Sequence, residues 1–366
     1  MKICYVGDAG SIHTQKWVNY FADKGHAVCL ISPRPPGGDG LRNVDLHVLK
    51  MTNGVRFLNI PLSVIQIARI ISRENPDILH AHQVTQSGFW CALCGFHPYV
   101  LTAWGSDIVV QPKKSKLIKW KATFALKRAD VITCDAQHMA ERMEEMGVAR
   151  EKIKLIYFGV DTEKFSSKKK DTKIKERLKI TFDSPIVISL RSMNPIYDLE
   201  SLVKAAPRVI EKVPEAKFII AGDGEQRSYL ENLATSLAVL DSIRFVGPIS
   251  NNDIPRYLAS SDVYVSTSLS DAGLAASTAE AMACELPAVV TDFGDNSQWV
   301  KDGQGGFVIP IKSPSLLAER IVYLLKNEDI RRKFGKFNRE VIEERNDYNK
   351  EMEKVEHLYL TLTGEK

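Results

Sequence analysis

The residues richest in chemistry lie in one short run, Ser270-Asp271-Ala272-Gly273-Leu274-Ala275-Ala276-Ser277-Thr278-Ala279-Glu280-Ala281-Met282-Ala283-Cys284. An apolar strand over Val263–Ser266 leads into a loop of small residues. A helix is expected from about Ser277, a residue type that serves well as an N-cap. The backbone N–H groups around Gly273, Leu274, Ala275, Ala276 and Ser277 suit a pyrophosphate, and the helix dipole favours its charge. Glu280 then falls in the first turn, where a carboxylate can accept two hydroxyl hydrogen bonds from a ribose. A carboxylate placed only to complement the dipole is the simpler alternative, and it leaves the small residues before it unexplained.

Three further places sit after short apolar strands. Arg191 follows Ile186–Leu190, and an arginine there can grip phosphate oxygens bidentately. The simpler alternative is a surface arginine paired with a carboxylate such as Asp198. Ala221-Gly222-Asp223-Gly224 ends another strand in a glycine turn, able to lie against a base or ribose or to serve only as a turn. Gly7-Asp8-Ala9-Gly10-Ser11-Ile12-His13 follows the opening strand. Gly10 would let backbone approach a ligand closely, although any first strand-to-helix turn favours glycine.

The elements that must position these residues alternate along the chain. Strands are read at Ile3–Val6, Val28–Ile31, Leu46–Leu49, from Asp77, at Tyr99–Thr102 and at Val131–Cys134, with helices between them. The plan repeats at Ile186–Leu190, Lys217–Ala221, Val263–Ser266 and Ala288–Thr291. Short apolar strands separated by helices imply parallel sheets covered on both faces. The expected class is α/β, with two Rossmann-like doubly wound domains facing each other across a cleft. Residues 1–165 form the first, on the acceptor side, and residues 166–345 the second, on the donor side. Residues 346–366 are expected to be a helix packing back on the first domain. The polar run Ser166–Asp171 reads as a solvated linker.

Composition agrees with this plan. A chain of 366 residues with 44% hydrophobic and 26% charged residues is long enough for two ordinary globular domains. A net charge of +4 gives no nucleic-acid footprint. Gly7-Asp8 interrupts the first apolar run too early for a targeting core, and no stretch is long enough to span a bilayer. A cytoplasmic location is expected, with peripheral contact on the inner face of a membrane left open. Cys91-Ala-Leu-Cys94 has an apolar interior and no second ligand pair, so a packed helix face explains it better than a metal site.

Taken jointly, the motifs resemble family 4 of the retaining glycosyltransferases, a group with the GT-B fold. Asp262–Ser268 resembles the family's "adv-v-PS" strand, and Asp271–Ala283 its "EGFG-----EAMA" signature. Leu286–Thr291 resembles "G-PVVAT", and Asp302–Pro310 resembles "DG--G-LV-P". Ala129–Ile132 and Phe158–Asp161 with Phe165 resemble the end of the family's first domain. The resemblance implies a hexosyltransferase that takes a nucleotide-diphosphate-sugar as substrate, with no cofactor and no metal; no Asp-x-Asp motif is present. It implies that Glu280 holds the ribose, that Asp271 and Gly273–Ala276 hold the donor sugar and phosphates, and that Arg191 holds phosphate. Arg191, Asp271 and Glu280 would be the catalytic group, with Gly10, Gly222 and Asp223 also on the donor side.

The departures from the family pattern are local. Ala272 stands at the strict first acidic position, and Asp271 lies one residue before it. The lysine usual after the phosphate-binding arginine is missing, and Pro195-Ile196-Tyr197-Asp198 stands in its neighbourhood. Trp104, in Thr102-Ala103-Trp104-Gly105-Ser106-Asp107, replaces a frequent first-domain histidine. His13, His82, Trp104 and Asp107 are the acceptor-side candidates, against ordinary core or loop roles for each histidine. The acceptor would be a glycan or lipid-linked glycan. Lys113–Lys121 is basic with interleaved apolar residues, suited to an anionic membrane surface; the alternative is a solvated helix whose Leu117, Trp120 and Phe124 form a core stripe. A nucleotide-sugar 2-epimerase would need acid–base motifs not found here. A non-catalytic scaffold of this fold is the other competing reading, motivated by the missing lysine and Ala272.

Overall fold

The computed structural model describes residues 1–37, 40–51, 59–271 and 273–364. It contains two compact units, Met1–Phe158 with Lys350–Lys366, and Gly159–Asn349. The first unit is built on strands β1 (Lys2–Val6), β2 (Ala27–Ser32), β3 (Val44–Val48), β4 (Ile78–His82), β5 (Tyr99–Thr102), β6 (Val131–Cys134) and β7 (Ile153–Leu155). They form one sheet in the order β3-β2-β1-β4-β5-β6-β7, with every pairing parallel. The second unit is built on β8 (Ile186–Ser189), β9 (Lys217–Ala221), β10 (Ile243–Gly247), β11 (Val263–Ser266), β12 (Ala288–Thr291) and β13 (Gly306–Ile309). Its order is β10-β9-β8-β11-β12-β13, again all parallel.

Each sheet is buried on both faces, which is why its strands read as continuous apolar runs. In the second unit, Val187, Phe218, Ile220, Val265 and Val289 enter one core, while Ile186, Ile188, Ile219, Tyr264 and Val290 enter the other. That alternation is the period of two imposed by the pleat. In the first unit, Cys4, Val6, Leu79, Ala81 and Ile132 share a core on one face. The opposite face holds Tyr5 and His80, which are covered by Tyr359 of the C-terminal helix. The hydroxyls of Tyr5 and Tyr359 lie 2.9 Å apart, and Tyr359 also bonds His80 Nδ1.

Strand order reverses between β1 and β4 in the first sheet and between β8 and β11 in the second. In doubly wound sheets, the loops at the carboxyl ends of such neighbouring strands diverge and leave a crevice for ligands. The loops at Gly7–Ser11, Gln83, Arg191, Thr267–Asp271 and Gly273–Ala275 all belong to these positions. The Ser166–Asp171 run, read as a linker, is fastened within the second unit. Ser167 Oγ donates to Glu285 Oε1 at 2.6 Å, and Asp171 N to Ser260 Oγ at 2.9 Å.

Candidate active site

Arg191 leaves β8 two residues past its end and is only 9% exposed. Its guanidinium forms an ion pair with Asp271 and stacks over the Tyr197 ring, 4.3 Å from the centroid. A longer contact of 3.4 Å reaches Ser277 Oγ, which accepts a 2.8 Å hydrogen bond from the buried Tyr264 hydroxyl. Asp198, the partner considered from sequence, instead accepts from Ser201 Oγ at 2.6 Å. Arg191 Nε and Asp271 Oδ2 are buried without a hydrogen-bond partner. Leaving such charged groups half-satisfied costs free energy, so the pair is poised to take a further polar ligand.

The surrounding loops are tied before any ligand arrives. Thr267 Oγ1 donates to Tyr197 O at 2.9 Å, and Leu269 N to Ile196 O at 2.8 Å. Thr291 Oγ1 donates to Ser268 O at 2.6 Å. The glycine turn after β9 supports the same loop from below. Gly222 has a φ of +134°, and a Cβ there would meet Arg191 O at 2.9 Å; one on Gly224 would meet Met193 O at 2.5 Å. Both glycines therefore serve close backbone packing under Arg191. Asp223 is exposed, and its Oδ1 accepts from Gly224 N at 2.9 Å.

The helix after β11 is capped two residues earlier than the sequence suggests. It spans Ala276–Ala283 with Ala275 as N-cap, and no side chain caps it. Ser277 lies inside the helix with its hydroxyl engaged by Tyr264, and Glu280 moves to the second turn. The first N–H groups of a helix have no intrahelical acceptor, so an uncapped N-terminus beside Arg191 is an anion-receptive surface. Gly273 is buried, Leu274 and Ala275 are half-buried and Ala276 is exposed. Ala272 lies outside the described residues.

The first unit places aromatic rings where the second places charge. Trp104, after β5, stacks on Phe158 at 5.4 Å and meets His13 at 5.1 Å; His13 and Phe158 lie 4.7 Å apart. Burial, followed by the charge of Lys16, lowers the His13 pKa. Gly10 is exposed and donates to Asp8 Oδ1 at 3.0 Å.

Two acceptor-side candidates turn inward. His82 is 2% exposed, with Nδ1 3.2 Å from Thr14 Oγ1. Burial, then the charge of His13, lowers its pKa to about 3, so it is neutral at ordinary pH. Asp107 is wholly buried; its carboxylate accepts from Val84 N at 2.7 Å and Trp104 N at 3.0 Å. It anchors the Trp104 loop instead of facing outward. Tyr197 and Phe158 are the neighbours that sequence reasoning did not single out for the site. Nothing in their local sequence marks Tyr197, whereas Phe158 stands in a recognisable motif.

Among the described residues, Asp45, His47 and Glu74 are near enough together to share a metal ion. Lys2 and Arg73 already pair with Glu74, and Asp45 and His47 sit on β3, the outer strand of its sheet and two strands from β1. A groove of about 610 Å³ beside β10, lined by Arg177, Arg244 and Tyr257 among others, is also remote from Arg191 along the sheet.

Two parallel doubly wound units of seven and six strands constitute the GT-B glycosyltransferase fold. Solved structures share it over nearly the whole chain. Anabaena HepE in complex with UDP aligns with a TM-score of 0.83 at 19% identity, covering 99% of this chain and 100% of that one. A glycosyltransferase from Rickettsia africae aligns with a TM-score of 0.83 at 18% identity, covering 99% and 98%.

Residues 170–341 match the family model described as glycosyl transferases group 1, and residues 2–136 match glycosyl transferase 4-like. The chain belongs to the group 1 glycosyltransferases, family 4 of the resemblance above, and is a nucleotide-sugar-dependent glycosyltransferase. Among its relatives, N-acetyl-alpha-D-glucosaminyl L-malate synthase of Bacillus anthracis is 25% identical over 97% of this chain and 95% of its own length. UDP-Gal:alpha-D-GlcNAc-diphosphoundecaprenol alpha-1,3-galactosyltransferase of Escherichia coli is 27% identical over 83% and 80%.

Proposed function

We propose that this enzyme transfers a hexosyl group, with retention at the anomeric carbon and without a metal ion, from a nucleoside-diphosphate sugar to a glycan or lipid-linked glycan. The observation that carries the donor assignment is Arg191. It is buried, held against Asp271 and Tyr197, and left with an unpartnered N–H beside an uncapped helix N-terminus. As the C1–O bond to the diphosphate breaks, charge grows on the leaving phosphate. Arg191 and the N–H groups near Gly273–Ser277 neutralise it, which is the largest service a protein offers such a reaction.

In this reading Glu280 holds the ribose and Asp271 the donor sugar. The acceptor oxygen forms the new bond to C1 on the face the phosphate leaves, and its proton passes to a departing phosphate oxygen. Retention and these residue roles rest on the family signature. The undecaprenol-linked substrate in the name of the E. coli relative supports a lipid-linked acceptor, and with it a site of action on the cytoplasmic face of a membrane. His13 and Trp104 are proposed to meet the acceptor.

Calorimetry against UDP, GDP and ADP, with and without a chelator, tests the donor reading. One nucleotide should bind equally in both conditions, and Glu280→Ala should weaken that binding by about 10- to 100-fold. Binding only with added divalent metal would overturn the metal-independent mechanism, and nucleotide affinity untouched by Glu280→Ala would overturn the assigned site.

A further inference from the structure

The basic run after Trp104 is not used by the catalytic reading. Seven cations and no acidic residue lie between Ile108 and Ala129: Lys113, Lys114, Lys116, Lys119, Lys121, Lys127 and Arg128. The run folds as two short helices, Ser106–Val109 and Gln111–Lys114, followed by a longer one, Lys116–Arg128, with Ser115 as its N-cap. The longer helix buries Ala122, Ala125 and Leu126 against its unit. At 100° per residue, Leu117, Trp120 and Phe124 fall on the opposite side.

Of the core stripe expected from sequence, Leu117 and Trp120 are turned outward, while Phe124 is half-buried against the core. Leu117 is 60% exposed, Trp120 55% and Val110, just upstream, 47%. Trp120 is steadied by stacking on Phe124 at 5.7 Å and by an edge contact with Phe89 at 5.8 Å. A solvated helix does not need large apolar groups at the centre of its exposed face, and three in one small region mark an interaction surface. Lys113, Lys114, Lys116, Lys119 and Lys127 around them are exposed as well.

We propose that this face docks on an anionic phospholipid bilayer, with Trp120, Leu117 and Val110 entering the headgroup boundary and the lysines pairing with lipid phosphates. Charge complementarity selects the occupant. A run of cations free of acids, mixed with a tryptophan and aliphatic groups, matches a negatively charged surface with an apolar interior. No described helix is long and apolar enough to cross a membrane, so contact is lateral and reversible. The docking face stands on its own geometry, and only its purpose, bringing the enzyme to a lipid-linked acceptor, rests on the transferase reading.

The test is co-sedimentation of the full chain with vesicles of phosphatidylcholine alone and of phosphatidylcholine with phosphatidylglycerol. The protein should pellet only with the anionic vesicles, less so at high salt. Changing Lys113, Lys114, Lys116 and Lys119 to Gln should weaken binding by about five-fold per lysine. Leu117→Ser with Trp120→Ser should also lower it at least about tenfold. Wild-type protein that stays in solution with anionic vesicles overturns the proposal, as does equal binding by both variants. Loss with the lysine variant alone would mark a purely electrostatic contact with the lipid phosphates, and insertion of Trp120, Leu117 and Val110 would fall. Melting temperatures and UDP calorimetry of each variant, without vesicles, show whether fold and nucleotide site are intact and keep this test separate from that of the donor site.

Discussion

The switch points of the two sheets are built from the same topology and furnished with opposite chemistry. At the second, between β8 and β11, a buried arginine and carboxylate face each other with valences to spare, beside a helix whose first N–H groups are uncapped. At the first, between β1 and β4, His80 and His82 are buried, and what remains partly exposed is a cluster of rings, His13, Trp104 and Phe158. A diphosphate needs fixed positive charge. A sugar ring needs a flat apolar face and few charges. The fold supplies the crevices, and the residues at the strand ends decide which ligand each one suits.

The sharpest way to break the contrast is to remove the charge. Arg191→Ala should lower turnover by about 10²- to 10³-fold, measured as sugar released from the donor. Arg191→Lys should recover little, because an ammonium cannot replace the planar fork stacked on Tyr197. Near-normal turnover in Arg191→Ala would remove the electrostatic half of the comparison.

Acid titration probes the neutral half. The folded pKa of His82, about 3, lies below its ordinary value of 6.5. Between those values the unfolded chain binds more protons, so stability is fully present above about pH 6.5 and falls as pH drops towards 3. His82 alone should account for about 2 kcal/mol of lost stability between about pH 7 and about pH 5. Denaturant unfolding at both pH values should show this difference shrinking in His82→Gln. An unchanged slope would mean His82 charges without penalty.

Glu280→Ala should weaken nucleoside diphosphate binding by about 1.5–3 kcal/mol, roughly 10- to 100-fold, read by calorimetry. Trp104→Ala should have the smallest effect, about tenfold or less in turnover, given that a stacked ring contributes about 1 kcal/mol. Nucleotide affinity should stay the same in that variant. If Trp104→Ala instead abolished nucleotide binding, the division between a charged and an aromatic switch point would be wrong.

The parts of the fold legible in the sequence were those buried on two sides. β1, β8, β11 and β12 are continuous apolar runs because each lies inside its sheet. The strands that escaped, β7, β10 and β13, are all at sheet edges. β7 reads Ile-Lys-Leu and β10 Ile-Arg-Phe-Val-Gly; an edge strand can carry a charge, and the apolar signal that marks a strand is diluted. The helix cap was misplaced by two residues because Ser277 is a good N-cap by type, yet its hydroxyl is taken by Tyr264 from a neighbouring strand.

By itself, the sequence determined the class of fold, the family and the chain positions that carry chemistry. Those depend on local patterns: apolar runs of strand length, glycines where backbone must pass close, small residues before a helix. Only the tertiary structure decided what each polar group touches. Arg191 pairs with Asp271, eighty residues on, and not with nearby Asp198; Asp107 and His82 turn inward, and Trp120 turns out. Periodicity shows that a helix has an apolar stripe, but which side meets the core is settled by what packs against it.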